Sequence, residues 1–252
     1  MQVDGGHIPT KEQGKRSFEA LSAVVYQPSC LEFVDQHHQR ITDKSCVVSA
    51  LNDDLKTIKT YLHHAALKQG LSQQTHVTAL ADGAPNCWSV ISVLESHCQT
   101  IEPILDWFHI AKKFQNVKKA LGEAFTESIE SAKWTLWHGE AEETLRKITL
   151  IRDNITDEKK RSKLKGLQDY LQNNLEYLVN YNEREKANKP FTSQVAEFHI
   201  DTIINARHKR KQKMQWTREG AHNVLQIRAL IASDKWIDKW LDLVLPEDVK
   251  AA

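Results

Sequence analysis

Between residues 76 and 110 the chain reads HVTALADGAPNCWSVISVLESHCQTIEPILDWFHI, and the order of events in this stretch leaves few folds open. Residues 77–81 are short, apolar and partly β-branched, as in a strand buried on both faces, and Gly83, Ala84 and Pro85 break the run at once. Asn86 is placed to cap a helix carrying Trp88, Ile91, Val93 and Leu94 and ending near His97. Residues 101–105 then read as a second strand, leading into Asp106, Trp107, Phe108 and His109. Strand, helix and strand in this order predict a parallel crossover. Asp82 and Asp106 thereby fall at the carboxyl ends of two strands, the edge where open α/β sheets gather their chemistry.

The flanking segments extend the sheet. Val3 and Asp4 read as the end of a first strand, with Gly5 and Gly6 turning the chain. Only three residues precede Asp4, whereas a strand usually runs to about five or six, so the first strand is expected to be shortened and the chain truncated at its start. Residues 18–26 form an apolar partner for a hairpin, stopped at Pro28, and residues 46–51 a third strand. Residues 30–45 read either way. Residues 53–68 space Leu55, Ile58, Leu62 and Ala65 as a helix does, up to Gly70.

From 104 to 189 there is no proline, and Lys, Glu, Leu, Ala and Gln dominate; the block is predicted to be helical, with a stripe of Leu167, Leu171, Leu175 and Leu178. Its heptads are too few and irregular for a coiled coil. Pro190 ends it. Ser193 is placed to cap a further helix bearing Glu197 and Asp201, and the basic run Arg207, Lys209, Arg210, Lys211 and Lys213 follows. Thr217 is placed to cap a last long helix, after which Trp236 and Trp240 are expected to pack in an amphipathic segment before Pro246. The chain of 252 residues thus divides into a first core part at 1–109, a helical insertion at 110–189 and closing helices at 190–252.

Composition narrows the class further. With 40% apolar and 27% charged residues the chain can bury a sizeable core. No stretch approaches the roughly 20 apolar residues that span a bilayer, and the N-terminus lacks the apolar block of a signal peptide, so a cytoplasmic protein is expected. The four cysteines form no Cys-x-x-Cys pair, which argues for reduced thiols rather than a zinc knuckle or disulfides. The formal charge of +1 says little, but its positive residues are clumped, as a polyanion ligand requires. Charge runs are also common on plain solvated faces, which leaves Lys112, Lys113, Lys118, Lys119, Lys159, Lys160 and Arg161 undecided.

Carboxylates gathered from Asp4, Asp82 and a late helix repel one another unless divalent cations hold them, and two Mg²⁺ ions roughly 4 Å apart would activate the attacking oxygen and stabilise the leaving oxygen of a phosphodiester. By position alone, a strand-end aspartate is more often a cap of the next turn or helix.

The blocks MQVDGGHIP, VTALADGAPNCW, ILDWFHIAKK, SQVAEFHIDTIINARHKRK and MQWTREGAHNVLQIRALIASDKW resemble, in order and character, those of the DDE transposases of bacterial insertion sequences, in particular the ISKra-type group related to the mutator-like transposases. The resemblance covers nearly the whole chain. It implies an α/β fold, a ribonuclease H-like mixed sheet with flanking helices and a large all-helical insertion. The first strand would carry Asp4 and the fourth Asp82. It further implies Asp4, Asp82 and Glu197 as catalytic metal ligands for Mg²⁺, with Mn²⁺ substituting. Asp106 and His109 match the family's Asp-x-x-His signature and are implied as auxiliary residues; as a plain alternative, Asp106 caps the helix that follows. Glu219 is the rival third acid, but its place in a first helical turn has an explanation in the helix dipole. Glu197 lies behind Thr192 and Ser193 and ahead of the basic run, as the family places its glutamate.

The implied partners are DNA, at transposon ends and target, and further copies of the chain on that DNA; a nucleoid location follows. Arg207, Lys209, Arg210, Lys211 and Lys213 are the expected phosphate contacts. Trp216 is a candidate for base stacking, with burial in the core as its plain alternative. The family carries a DNA-binding region ahead of its first Asp; with three residues ahead of Asp4, end recognition is expected to be missing or supplied by another polypeptide. Two other activities stay open: a non-catalytic DNA-binding remnant of such an element, and a ribonuclease H-like nuclease outside transposition.

Overall fold

In the computed structural model the described residues are 1–33, 39–193, 201–208 and 214–244. Strand β1 (Gln2–Pro9) pairs antiparallel with β2 (Ser17–Val25), setting Asp4 opposite Ser22 and Gly6 opposite Ala20. Two short strands, β3 (Leu31–Phe33) and β4 (Gln39–Ile41), form a separate ribbon. Strand β5 (Ser45–Ser49) then returns antiparallel to β2. Helix α1 (Lys56–Lys68) buries Ile58, Leu62, Ala65 and Ala66, and β6 (His76–Ala81), α2 (Pro85–Ile91), a 3₁₀ turn (Ser92–His97) and β7 (Thr100–Leu105) follow. The main sheet has the order β5-β2-β1-β6-β7.

The pairing of β6 with β7 is legible in its side-chain bonds. His76 Nδ1 lies 2.8 Å from Thr100 Oγ1, and Thr78 Oγ1 donates to Glu102 Oε2 at 3.3 Å. Both pairs are 24 residues apart, and an offset that stays constant along two strands means they run parallel. The sheet is therefore mixed, with antiparallel β1, β2 and β5. Pro103 sits in β7, the last strand in the order, where a residue without an N–H is tolerated.

The chain divides into two units: Met1–Val77 with Pro85–Ile101 and Gln194–Ala252, and Thr78–Ala84 with Glu102–Ser193. In the first unit, Ile8, Phe18, Ala20, Val24 and Val48 form a core with Ile203, Ile204, Ala221 and Leu225. The last four come from a π-helical turn (Asp201–Asn205), which runs into the short α8 (Ala206–His208), and from α9 (Arg218–Ala232). Thr217 caps α9 through its side chain, which accepts from the Gly220 N–H, as the sequence predicts.

Gly5 and Gly6 do not turn the chain. Both lie inside the eight-residue β1, which runs on past Asp4 to Pro9 and is not a short strand. The reason for glycine at position 6 is proximity: a Cβ there would stand 2.8 Å from Ile204 Cγ2. Gly6→Ala is expected to lower the unfolding free energy by about 1–3 kcal/mol, the cost of overpacking, as read from urea titrations with unchanged slope.

The second unit is dominated by helices. Helices α3 (Trp107–Leu121), α4 (Thr126–Trp137), α5 (Ala141–Asp153), α6 (Glu158–Asn173) and α7 (Tyr181–Lys186) follow one another. Ile110, Phe114, Val117, Leu121, Ile129, Leu136, Ile148, Leu164, Leu167 and Leu171 supply the buried faces. Asp106, Asp157 and Asn180 cap α3, α6 and α7. The leucine stripe stops earlier than its periodicity predicts. Helix α6 ends at Asn173, and Leu175 is exposed in a 3₁₀ turn.

Two further expectations are corrected. Asn86 is not a cap, because α2 begins one residue earlier at Pro85, and its side-chain amide donates instead to Glu19 Oε2 at 2.8 Å. Helix α10 (Trp236–Val244) is amphipathic, yet it buries none of its residues; Trp236 and Trp240 stack on each other, with ring centroids 5.8 Å apart.

Candidate active site

Asp82 follows directly on β6, and the chain turns sharply after it. Its Oδ1 accepts the Ala84 N–H at 2.9 Å, closing an Asx turn, while Gly83 takes φ +93°. A Cβ at Gly83 would stand 2.9 Å from both Asn174 Nδ2 and Leu105 Cδ1, so conformation and close approach both call for glycine. The main-chain carbonyl of Asp82 accepts the Tyr170 hydroxyl at 2.9 Å. One bond to the Asp82 carboxylate uses a fraction of its roughly four acceptor positions, which leaves capacity for a hard cation.

Asp106 is only 1% exposed and serves as more than a helix cap. Its Oδ1 accepts the N–H groups of Phe108 at 3.1 Å and Ser193 at 2.9 Å. Its Oδ2 accepts the Ser193 hydroxyl and lies 3.6 Å from His109 Nε2. Burial raises the Asp106 pKa, and the bonds from Ser193 and the neighbouring His109 oppose that rise. The Trp107 N–H donates to the Phe191 carbonyl at 3.1 Å. Residues 191–193 are thus pinned to the start of α3. The Ser193 hydroxyl is bound to Asp106, and the start of the helix it is expected to cap lies outside the described residues.

The other unit holds Asp4, which is 8% exposed. Its Oδ1 accepts the Gly5 N–H at 2.7 Å, and its main-chain carbonyl accepts the Ser22 hydroxyl at 3.5 Å. Glu219 is exposed in the first turn of α9. Arg207 is exposed and stands over the Trp216 ring, 5.1 Å from its centroid. Trp216 is partly buried against the core of this unit and tilted onto His208 at 4.6 Å; its backbone bridges to Thr10. Glu197, Lys209, Arg210, Lys211 and Lys213 lie outside the described residues.

Among the described residues, no cluster of three or more His, Cys, Asp or Glu side chains is arranged to hold a metal ion. The ligand set expected from the sequence takes its third member from position 197. The chain matches no family model and no curated protein. Reading the sequence pairs Asp106 with His109, and the two stand 3.6 Å apart. It misses Tyr170, Asn174 and the bond between Asp106 and Ser193, because partners 87 or 88 residues apart leave no mark in local spacing.

No helix among the described residues is long and apolar enough to cross a membrane.

Proposed function

We propose that this chain is a DDE transposase catalytic domain of ribonuclease H-like fold, which cuts and joins DNA phosphodiesters with Asp4, Asp82 and Glu197 as metal ligands. The observation that carries the reading is the order of the main sheet, β5-β2-β1-β6-β7. Its first strand in the chain bears Asp4, and its fourth ends directly before Asp82. The run of helices between β7 and the segment bearing Glu197 supports it further, because the resembled family interrupts its fold with helices at that place.

Bound Mg²⁺ or Mn²⁺ would supply Lewis-acid stabilisation of the phosphodiester oxygens and a more acidic attacking hydroxyl. The three carboxylates would hold those ions with hard oxygen donors. Arg207 and the basic residues at 209–213 would neutralise phosphates and fix the duplex in place. In the first step, water attacks phosphorus and the 3′ oxygen leaves with a proton as a free hydroxyl. In the second, that hydroxyl loses its proton as it attacks a phosphodiester of target DNA, and the target's own 3′ oxygen departs and takes up a proton in exchange. Multiple copies of the chain would act together on the two transposon ends.

The test is nicking of supercoiled plasmid by the purified full chain in Mn²⁺. We expect nicks that vanish with EDTA and that Asp4→Asn and Asp82→Asn each reduce to the EDTA level. Glu197→Gln should behave like them and Glu219→Gln like the wild type; the reverse result moves the third ligand to Glu219. A folded wild-type protein that binds the plasmid but never nicks it would replace the enzyme by the non-catalytic DNA-binding remnant.

A further inference from the structure

The insertion of helices does more in this protein than separate two parts of a catalytic core. Helix α6 and the residue that ends it reach the Asp82 turn together, since Tyr170 lies in the last turn and Asn174 is the C-cap four residues on. The Tyr170 hydroxyl donates to the Asp82 carbonyl at 2.9 Å. Asn174, itself only 3% exposed, sends its amide nitrogen to the Tyr170 carbonyl at 3.0 Å, and the same nitrogen lies 2.9 Å from where a Gly83 Cβ would be. Helix α3 closes the arrangement from another side: Lys113 Nζ stands 4.1 Å from the centre of the Tyr170 ring. A cation over the ring face holds the plane of the ring and polarises its hydroxyl toward donation.

We propose that Tyr170, backed by Asn174 and Lys113, is a positioning residue that sets the Asp82–Gly83 turn, and with it the direction of the Asp82 carboxylate toward a divalent cation. The inference rests on the reading of Asp82 as a metal ligand. The physical ground is the shortness of the linkage. The Asp82 carbonyl and carboxylate share one Cα, and the Asx bond to Ala84 ties the carboxylate to the same turn. A hydrogen bond that fixes the carbonyl therefore holds the backbone from which the carboxylate springs, while the Asx bond restrains the side-chain torsions.

The experiment is Mn²⁺ titration of the full chain, followed by the electron paramagnetic resonance signal of the free ion, for wild type, Tyr170→Phe, Asn174→Ala and Asp82→Asn. Thermal unfolding and plasmid-binding affinity are measured on the same samples. The phenylalanine variant keeps the ring under Lys113 and removes only the donated proton. We expect it to weaken Mn²⁺ binding about tenfold, the lower end of what loss of an outer-shell partner costs, and to raise the Mn²⁺ concentration for half-maximal nicking in step. Plasmid binding should be unchanged. Unaltered Mn²⁺ affinity in Tyr170→Phe, beside a weakened Asp82→Asn, would overturn the positioning role alone. Wild-type Mn²⁺ affinity in Asp82→Asn would overturn the metal-ligand reading, and this inference with it. Should Tyr170→Phe unfold, Asn174→Ala carries the same test.

Discussion

Tyr181→Ala is expected to cost about 4 kcal/mol of unfolding free energy, within the range for losing a buried aromatic side chain. Tyr181 has no exposed surface and lies in an aromatic cluster, 4.8 Å from Trp107 and 6.1 Å from Trp137 between ring centroids. Trp137 in turn meets Phe191 at 5.4 Å. Removing the ring leaves a cavity walled by indoles that cannot collapse into it. The hydroxyl has its own share, because it donates to the Leu105 carbonyl at 2.8 Å, one residue before Asp106. Tyr181→Phe should therefore cost about 1–2 kcal/mol, the value of a buried hydrogen bond left unmade. Urea unfolding followed by tryptophan fluorescence reads both, and equal losses in the two variants would show that packing is not the larger share.

The second large effect is expected at Asp106. Asp106→Ala strands two buried donors, the N–H and hydroxyl of Ser193, and the part-buried N–H of Phe108. At about 1–3 kcal/mol for each unsatisfied buried group, partly offset by relief of a buried carboxylate, a loss of about 3 kcal/mol is expected. Asp106→Asn keeps one acceptor oxygen and should cost less. Its pH profile should differ as well. Burial raises the folded pKa of Asp106 above the unfolded value, so the folded chain holds a proton that the unfolded chain has released. Stability from this group is full at pH values below the ordinary aspartate range and falls as pH rises from there through the folded pKa. The asparagine variant cannot titrate and should lack that fall. The same slope in both proteins would assign it to other carboxylates, and a larger loss in Asp106→Asn than in Asp106→Ala would contradict the bonding described.

The elements legible in the sequence are those written in local rules. Residues 77–81 and 101–105 fall inside β6 and β7 because an apolar run closed by a Gly-Ala-Pro break has few other uses, and Asp106 and Thr217 cap helices as their types predict. Gly5 and Gly6 mislead because their purpose is non-local: Ile204 needs the space that a side chain at position 6 would fill. Asn86 misleads for a similar reason, its amide being drawn from α2 to Glu19 on β2. The stripe continuing to Leu175 and Leu178 is periodic, but the helix ends before them, and periodicity alone does not say where a helix stops. Of the candidate site, the acids at the strand ends were readable from residue type and position. The tyrosines that reach the same strand ends were not, because each sits in a helix whose spacing explains it fully as part of an amphipathic face.

Those two tyrosine hydroxyls also carry a consequence for the order of folding. Each satisfies a main-chain carbonyl at the end of a strand, Tyr170 at Asp82 and Tyr181 at Leu105, across 88 and 76 residues of chain. Closing loops of that length precedes any reward from the contact. A chain growing from its N-terminus has both strands in hand well before either donor exists. During synthesis at about 5–20 residues per second, these two carbonyls face water for several seconds. The strand ends gain their final geometry only once α6 and α7 have been made and docked, so the acids beside them are completed by the helices rather than by the sheet.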